Sequence, residues 1–228
     1  MKEYINKYKH FLLLMYFPVY LLGFYYLETV MPDKIHIIEC SLDKYIPFVE
    51  FFIVPYLLWF VYIGAAGVYF FLYEKESFCQ LMYFGMIGMT LFLLVSYLYP
   101  NGLELRPENF ARDNIFVELT KWIYRMDTPT NVLPSIHVFN SVGVAIAIRR
   151  SEKLKNKKWL QNASALLMVL IILSTMFLRQ HSVIDVLTAL ALSCMAYDLV
   201  YNERWLEIRY GLETWKYRKK TVPEGLGK

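Results

Sequence analysis

Six long apolar blocks are the feature that most constrains the fold of this chain. A helix needs about 20 mostly apolar residues to cross the hydrocarbon core of a bilayer. Hydrophobic residues make up 57% of the chain, whereas an ordinary soluble domain has about 45–50%. The sequence therefore predicts an all-α polytopic membrane protein, a six-transmembrane helix bundle that forms a single domain over residues 1–228. The predicted spans are approximately 11–29, 51–72, 79–99, 132–148, 159–178 and 181–200.

Basic residues are distributed unevenly around these blocks. They concentrate at the N-terminus (Lys2, Lys7 and Lys9), in the loop "RRSEKLKNKK" at 149–158 and in the tail after about residue 203. Six spans put these regions on one side, and the positive-inside rule assigns that side to the cytoplasm. We therefore predict an integral membrane protein of a bacterial cytoplasmic membrane with both termini in the cytoplasm. Anionic lipid headgroups, and not nucleic acid, are the expected partners of the basic regions.

The outer segment at 100–131 contains a stretch with the spacing of an amphipathic helix. Asp113 is its expected N-cap, and "DTPTN" at 127–131 ends it. Two placements are open: a helix in the outer interface that borders a lipid entry path, with Trp122 at headgroup depth, or a cap packed on the outer ends of the bundle. The apolar face consists of Ile115, Phe116, Leu119, Trp122, Ile123 and Met126.

Glu50 lies near the start of the second block. Its position close to the membrane surface favours an interfacial carboxylate that faces water over a functional role, which stays the alternative.

The fourth and sixth blocks carry polar side chains in the middle of apolar sequence. Ionisable residues inside a membrane are costly and mark functional sites. Both blocks begin at the outer surface in the predicted topology, so their histidines are expected at similar depth. On each block the polar residues share one helix face: His137, Asn140 and Ser141 on the fourth, and His181, Asp185 and Thr188 on the sixth.

Arg106, Ser135 and Arg179 are expected at the same outer face as the two histidines. Guanidinium groups bind phosphate through charge-assisted hydrogen bonds. A histidine held by a carboxylate is fixed in one tautomer and becomes a better nucleophile. A second histidine can protonate a leaving oxygen. The set therefore suits phosphoryl transfer through a phosphohistidine.

A zinc site is the competing interpretation, because two histidines and an aspartate can bind Zn²⁺. Flanking arginines would repel a cation and attract an anion, which favours a phosphate site without a cofactor. Cysteine spacing adds no metal-binding motif and no disulfide framework, since no CxxC pair occurs among Cys40, Cys79 and Cys194.

Three segments resemble the signature motifs of the type 2 phosphatidic acid phosphatase superfamily, a six-helix membrane family that acts on lipid phosphates and diphosphates. The motif region covers about residues 99–188. The three segments are "RP" (Arg106–Pro107), "PSIH" (Pro134–His137) and "RQHSVIDVL" (Arg179–Leu187).

This resemblance implies a role for five residues. His181 would be the nucleophile that takes the phosphoryl group, and Asp185 would orient it. His137 would be the acid for the leaving group. Arg106 and Ser135 would hold phosphate oxygens.

The chain departs from the motifs of that superfamily at three positions. Tyr99 stands where the first motif has a lysine, Ile136 where the second has a glycine, and Thr175 where the third has an arginine. We expect Arg179, two residues before His181, to supply the missing positive charge for phosphate binding.

The acceptor of the phosphoryl group separates the possible functions. Water gives a lipid phosphatase that faces the cell exterior, with phosphatidate, undecaprenyl diphosphate or phosphatidylglycerol phosphate as substrate by analogy. A lipid alcohol gives a headgroup phosphotransferase, as in the sphingolipid-synthase branch. "HSVIDVLTA" is similar to the third motif of that branch, with Ser182 replacing an aromatic residue. A non-enzymatic scaffold or transporter is the third reading, and the oligomeric state stays open.

Overall fold

The computed structural model describes residues 9–30 and 34–202, which are mainly α-helical. Within these residues there are seven α-helices: α1 (Tyr16–Thr29), α2 (Ile53–Tyr73), α3 (Lys75–Leu98), α4 (Ile115–Met126), α5 (Ile136–Arg150), α6 (Lys158–Phe177) and α7 (Val183–Tyr201). Short 3-10 helices cover Lys9–Met15, Ser41–Tyr45 and Glu50–Phe52. The topology signals at Lys2, Lys7 and the C-terminal tail after residue 202 lie outside the described residues.

Five helical segments are long and apolar enough to cross a membrane. They correspond to the first, second, third, fifth and sixth predicted blocks. The fourth block corresponds to α5, whose 15 residues extend only ~22 Å. The five segments are Phe11–Thr29, Glu50–Tyr73, Lys75–Leu98, Lys158–Phe177 and Val183–Tyr201.

Helix α5 is the central helix of the bundle. It packs against α2, α3, α6 and α7, so its neighbours shield its polar side chains from lipid. The contact with α3 is close because each helix offers a glycine to a phenylalanine of the other: Phe139 packs on Gly88, and Phe84 packs on Gly143. The two rings also contact each other, with centroids 4.6 Å apart.

Helix α1 lies at the edge of the bundle. None of its residues is buried, and it packs on α3. A hydrogen bond of 2.7 Å joins the Tyr16 and Thr90 hydroxyls across this contact. Most of the α1 surface is therefore available to lipid.

Three connecting segments are joined at the end of the bundle where α5 and α7 begin. Strand β1 (His36–Ile37) pairs in parallel with β2 (Asn101–Gly102), and Gly102 also forms a bridge with Thr130. Oδ1 of the buried Asn101 accepts hydrogen bonds from the amides of Val132 and Leu133. The segment that leads into α5 is thus held by β2, which in turn pairs with β1.

Helix α4 covers part of this end of the bundle. Phe116, Leu119 and Ile123 pack on a cluster around Ile53 and Tyr56 at the start of α2, as the packed-cap placement requires. The other half of the predicted apolar face stays exposed, at Ile115, Trp122 and Met126.

Two predictions for this region are wrong. The N-cap of α4 is Asn114 and not Asp113, because Oδ1 of Asn114 accepts hydrogen bonds from the amides of Phe116 and Val117, both at 3.0 Å. Glu50 does not face water: it is 5% exposed. Its Oε1 accepts hydrogen bonds from Arg112 at 3.0 Å and from Asn114 at 3.1 Å, because the segment before α4 folds over the start of α2.

Candidate active site

A tight turn between α6 and α7 presents His181. The turn has the hydrogen bonds of a Schellman motif: the Arg179 amide donates to the Met176 carbonyl and the Gln180 amide to the Thr175 carbonyl, both at 2.9 Å. Arg179 has a φ of 54°, the left-handed conformation that this motif requires and that costs a residue with a side chain about 1 kcal/mol. His181 follows at once and donates its own amide to the Thr175 carbonyl at 3.0 Å.

Asp185 performs two tasks at the start of α7. Its Oδ2 accepts a 2.9 Å hydrogen bond from the amide of Ser182, the N-cap residue, which completes a capping box. The same oxygen lies 3.3 Å from Nδ1 of His181. Asp185 is fully buried and His181 is 8% exposed. A carboxylate at Nδ1 keeps the proton on that nitrogen and leaves Nε2 as the nucleophilic atom.

His137 lies in the first turn of α5, next to His181. The two imidazole centroids are 5.6 Å apart. Tyr56 and Trp59 of α2 pack on the His137 ring, with centroids at 4.7 Å and 4.3 Å. The structure therefore brings together the two histidines that the sequence singled out, although they are 44 positions apart in the chain.

Arg106, in the segment between α3 and α4, contacts the residue that precedes His181. Its Nη2 donates to Oε1 of Gln180 at 2.5 Å, and its Nη1 donates to the Tyr124 carbonyl at 3.1 Å. The guanidinium also lies 4.5 Å from the centroid of the Tyr124 ring. Burial lowers the pKa of Arg106, and the nearby Asp127 carboxylate opposes this change.

Asp127 is a second carboxyl group at the site, and the sequence did not indicate it. Burial raises the pKa of Asp127, while the charges of Arg106 and His181 and a hydrogen bond from Tyr56 work in the opposite direction. The Asp127 carboxyl group therefore interacts electrostatically with two of the residues that the sequence singled out, Arg106 and His181.

Ser135 and Arg179, the other two predicted phosphate ligands, have partners within the fold. Ser135 is fully buried and is the N-cap of α5, where its hydroxyl accepts from the Val138 amide at 3.4 Å. Nη1 of Arg179 donates to the Asp43 carbonyl at 2.8 Å. The charges of Arg106 and Arg179 both oppose the increase that burial causes in the pKa of Tyr124.

Asp43, in the segment between α1 and α2, contacts the turn that carries His181. Its Oδ2 accepts a hydrogen bond from the Ser182 hydroxyl at 2.6 Å, and its Oδ1 accepts from the Val183 amide at 2.9 Å. Burial alone would raise the pKa of Asp43, but the hydrogen bonds from Ser182, Val183 and Cys40 outweigh it and lower the pKa.

Sequence reasoning missed several contributors to this site. Gln180 lies inside "RQHSVIDVL", the third of the quoted motifs. Tyr56 and Trp59 share a face of α2 at i and i+3, but this spacing of aromatic residues is only a weak indication of a site. Asp127 directly follows α4, and Asp43 lies in the short 3-10 helix Ser41–Tyr45. No periodic pattern distinguishes such residues from ordinary solvated aspartates.

No protein-family model, curated protein or solved structure matches this chain. Within residues 9–30 and 34–202, no three His, Cys, Asp or Glu side chains are grouped as ligands of one metal ion. The geometry of the His181 region and the motif residues are therefore the basis for any functional assignment.

Proposed function

We propose that this protein is a six-span membrane enzyme of the type 2 phosphatidic acid phosphatase kind, which hydrolyses a lipid phosphate or diphosphate on the extracytoplasmic side. The observation that carries the proposal is the pairing of His181 Nδ1 with Asp185 at 3.3 Å, beside the His137 ring at 5.6 Å. Arg106 supplies a positive charge at the same site.

In this proposal α5, the helix of the fourth predicted block, is a span in addition to the five long apolar helices. Its first turn lies beside the outer segments, where Asn101 holds the residues that precede it. Beyond its other end, Ser151 donates a hydrogen bond to Glu74, in the turn that joins α2 to α3. A helix that connects the two ends of the bundle can be short and polar when four other helices surround it, because it is not exposed to lipid.

The orientation in this proposal follows from the loop after α5. Residues 149–158 carry six basic side chains, and the positive-inside rule assigns them to the cytoplasm. The turn with His181 lies at the opposite end of α6, and so faces outward.

In the proposed reaction, Arg106 holds phosphate oxygens while Nε2 of His181 attacks phosphorus. The bond between phosphorus and the leaving oxygen breaks, and His137 donates a proton to that oxygen. Asp185 stabilises the positive charge on the phosphorylated imidazole. Water then attacks phosphorus, the P–N bond breaks and His137 takes up the proton of the water. Inorganic phosphate leaves, and both histidines return to their initial state.

Phosphate release from defined lipids tests the proposal. The purified protein in mixed micelles is given phosphatidate, phosphatidylglycerol phosphate or undecaprenyl diphosphate, and free phosphate is measured. We expect release that His181→Ala abolishes and that a chelator does not. His36→Ala is the matched control, because His36 stacks on Tyr99 at 4.1 Å in the outer loops and makes no contact with His181.

Three results would contradict the hydrolase proposal. Transfer of the headgroup to an added lipid alcohol, without phosphate release, would assign a phosphotransferase that uses the same histidines. A wild type indistinguishable from His181→Ala in both assays would favour a scaffold or transporter. Loss of activity with a chelator would exclude the metal-free mechanism.

A further inference from the structure

We infer that Asp43 is a positioning residue for His181, acting through Ser182 and Asp185. This inference rests on the proposed function of His181 as a nucleophile. Asp43 lies in the first outer loop, far from the motif region in the chain, and the side-chain hydrogen bond that joins it to Ser182 spans 139 positions.

The Asp43 carboxylate is built into the start of α7. It is 1% exposed, and its two oxygens accept from the Ser182 hydroxyl at 2.6 Å and the Val183 amide at 2.9 Å. The Cys40 amide donates to Oδ2 at 2.7 Å and fixes the carboxylate within its own loop. A negative charge at this position also interacts favourably with the positive end of the helix dipole.

Ser182 transmits this restraint to the catalytic pair. Its hydroxyl donates to Asp43 and accepts from the Ile184 amide at 3.2 Å. Its own amide donates to Oδ2 of Asp185, the oxygen that faces Nδ1 of His181. The orientation of Ser182 therefore determines where the Asp185 carboxylate lies relative to the imidazole.

The same loop also holds the other side of the turn. The Asp43 carbonyl accepts from Arg179 at 2.8 Å, and the Val49 amide donates to the Phe177 carbonyl at 3.0 Å. Both contacts use main-chain atoms of the loop, so a change of the Asp43 side chain leaves these groups in place. The side chain can thus be tested separately from the attachment of the loop.

Loss of the Asp43 carboxylate is expected to affect the chemical step more than substrate binding. Arg106, which holds phosphate in the proposed mechanism, has no contact with Asp43 among the hydrogen bonds of the described residues. A misplacement of about 1 Å at a reacting group costs roughly 100-fold in rate. We expect Asp43→Ala to lower kcat about 10- to 100-fold with little change in KM, and Asp43→Asn, which keeps one acceptor, to lower it less.

The experiment compares four variants of the full-length protein with a matched control. Ser182→Ala is expected to resemble Asp43→Ala, whereas Ser182→Thr, which keeps the hydroxyl, should restore most of kcat. The control is Glu50→Gln, because Glu50 is an equally buried outer carboxylate that holds Arg112 and Asn114 and makes no contact with α7. Its kcat should stay close to the wild-type value.

A second readout does not depend on activity. In protein labelled with ¹⁵N-histidine, the two ring nitrogens of His181 report its tautomer, with His181→Gln used for assignment. We expect the proton on Nδ1 in the wild type and in Glu50→Gln, and a shift towards a mixture of tautomers in Asp43→Ala and Ser182→Ala.

The two readouts separate failure of this inference from failure of the proposed function. Absence of phosphate release from the wild type would refute the hydrolase, while a His181 spectrum that changes in Asp43→Ala and not in Glu50→Gln would still support the positioning role. An unchanged spectrum in Asp43→Ala, or a Ser182→Thr variant no better than Ser182→Ala, would overturn the inference.

Discussion

In the proposed mechanism, one oxygen atom of Asp185 has both a structural and a chemical role. Oδ2 accepts from the Ser182 amide and also lies against Nδ1 of His181, whereas Oδ1 is buried without a hydrogen-bond partner among the described residues. A capping side chain contributes about 0.5–2 kcal/mol to stability, and a carboxylate beside a catalytic histidine contributes far more to the rate. The two roles can therefore be separated by a substitution that preserves the cap.

Asp185→Asn is expected to retain most of the stability and lose most of the activity. The asparagine oxygen can still accept from Ser182, but it carries no charge to stabilise an imidazolium, and losses of roughly 10²- to 10⁴-fold follow from such changes. Thermal unfolding in detergent measures the stability, and kcat measures the activity. Asp185→Ala is the comparison, because we expect it to lose both stability and activity. Equal activity of Asp185→Asn and wild type would refute a role in orienting His181.

Because Asp127 lies near Arg106 and has a raised pKa, we expect substrate affinity to depend on pH. The charged and titratable groups around it are Arg106, His181, Glu28 and Tyr56. Burial raises its pKa, so the carboxyl is neutral below that pKa and does not compete with the substrate phosphate for Arg106 in the proposed mechanism. As the pH rises through the pKa, the carboxylate competes for Arg106 and KM increases.

Asp127→Asn should remove this increase in KM, and the ratio of wild-type to variant KM across pH measures it. Titration of the substrate phosphate cancels in that ratio. Stability should also fall with pH. Because the pKa of Asp127 is higher in the folded than in the unfolded protein, the free energy of unfolding of the wild type should decrease relative to the variant as the pH rises above about 4. A ratio that does not change with pH would contradict the placement of Asp127 at the phosphate site.

At the scale of helices, the position of His137 depends on the contact between α3 and α5. A Cβ atom on Gly88 would lie 2.2 Å from the Phe139 ring, and one on Gly143 would lie 2.6 Å from the Phe84 ring. Both distances are shorter than atomic contact allows, so the helices can approach this closely only with glycine at these positions.

Gly88→Ala and Gly143→Ala are each expected to destabilise the protein by roughly 1–3 kcal/mol through overpacking. Gly64→Ala is the control, because a Cβ at Gly64 meets no atom within 4 Å, and alanine favours an exposed helix by about 1 kcal/mol. The free energy of unfolding in detergent is measured for all three variants. A Gly88→Ala protein as stable as Gly64→Ala would show that α3 and α5 are further apart.

Helix α4 has a second apolar surface that the bundle does not cover. Ile115, Trp122 and Met126 are 66%, 48% and 69% exposed, and an amphipathic helix with such a stripe binds the membrane interface. The packed and interfacial placements are therefore compatible, since different residues serve each.

Trp122→Ala is expected to raise KM for a lipid phosphate in vesicles and to leave KM for a short-chain soluble phosphate unchanged. The reason is that the tryptophan would hold α4 at headgroup depth, next to the entrance for lipid. Glu118→Ala, on the exposed polar side of the same helix, serves as the control. An equal change for both substrates would indicate a role in the site and not at the interface.

At the scale of the whole molecule, the orientation depends on whether α5 crosses the membrane. In a background with Cys40, Cys79 and Cys194 replaced by serine, Lys155→Cys should react with a membrane-impermeant maleimide only from the cytoplasmic side. Glu104→Cys should react only from outside. Because α5 and its flanking loops separate these positions, reaction of both from the same side would exclude α5 as a span.

The sequence alone predicted the helices well, because their signal is local. Long apolar blocks require helices in a membrane, and the ends of the blocks lie close to the ends of the helices in the structure. His137, His181 and Asp185 were also accessible to sequence reasoning, because polar residues are conspicuous in apolar sequence. The predictions that Asp113 caps α4 and that Glu50 faces water were wrong. Both depend on how the segment before α4 folds over the start of α2, which the local sequence does not specify.

The sequence by itself determined that the chain is helical and apolar enough to cross a membrane, and which polar side chains lie within its apolar blocks. Only the tertiary structure decided which of these side chains meet: the two histidine rings come together, Arg106 and Asp127 join them, and Ser135 is used as a cap. It also connected Asp43 to the turn that carries His181. The physical reason is that apolar burial and helix formation act over neighbouring residues, whereas hydrogen bonds of buried polar groups depend on helix packing between segments far apart in the chain.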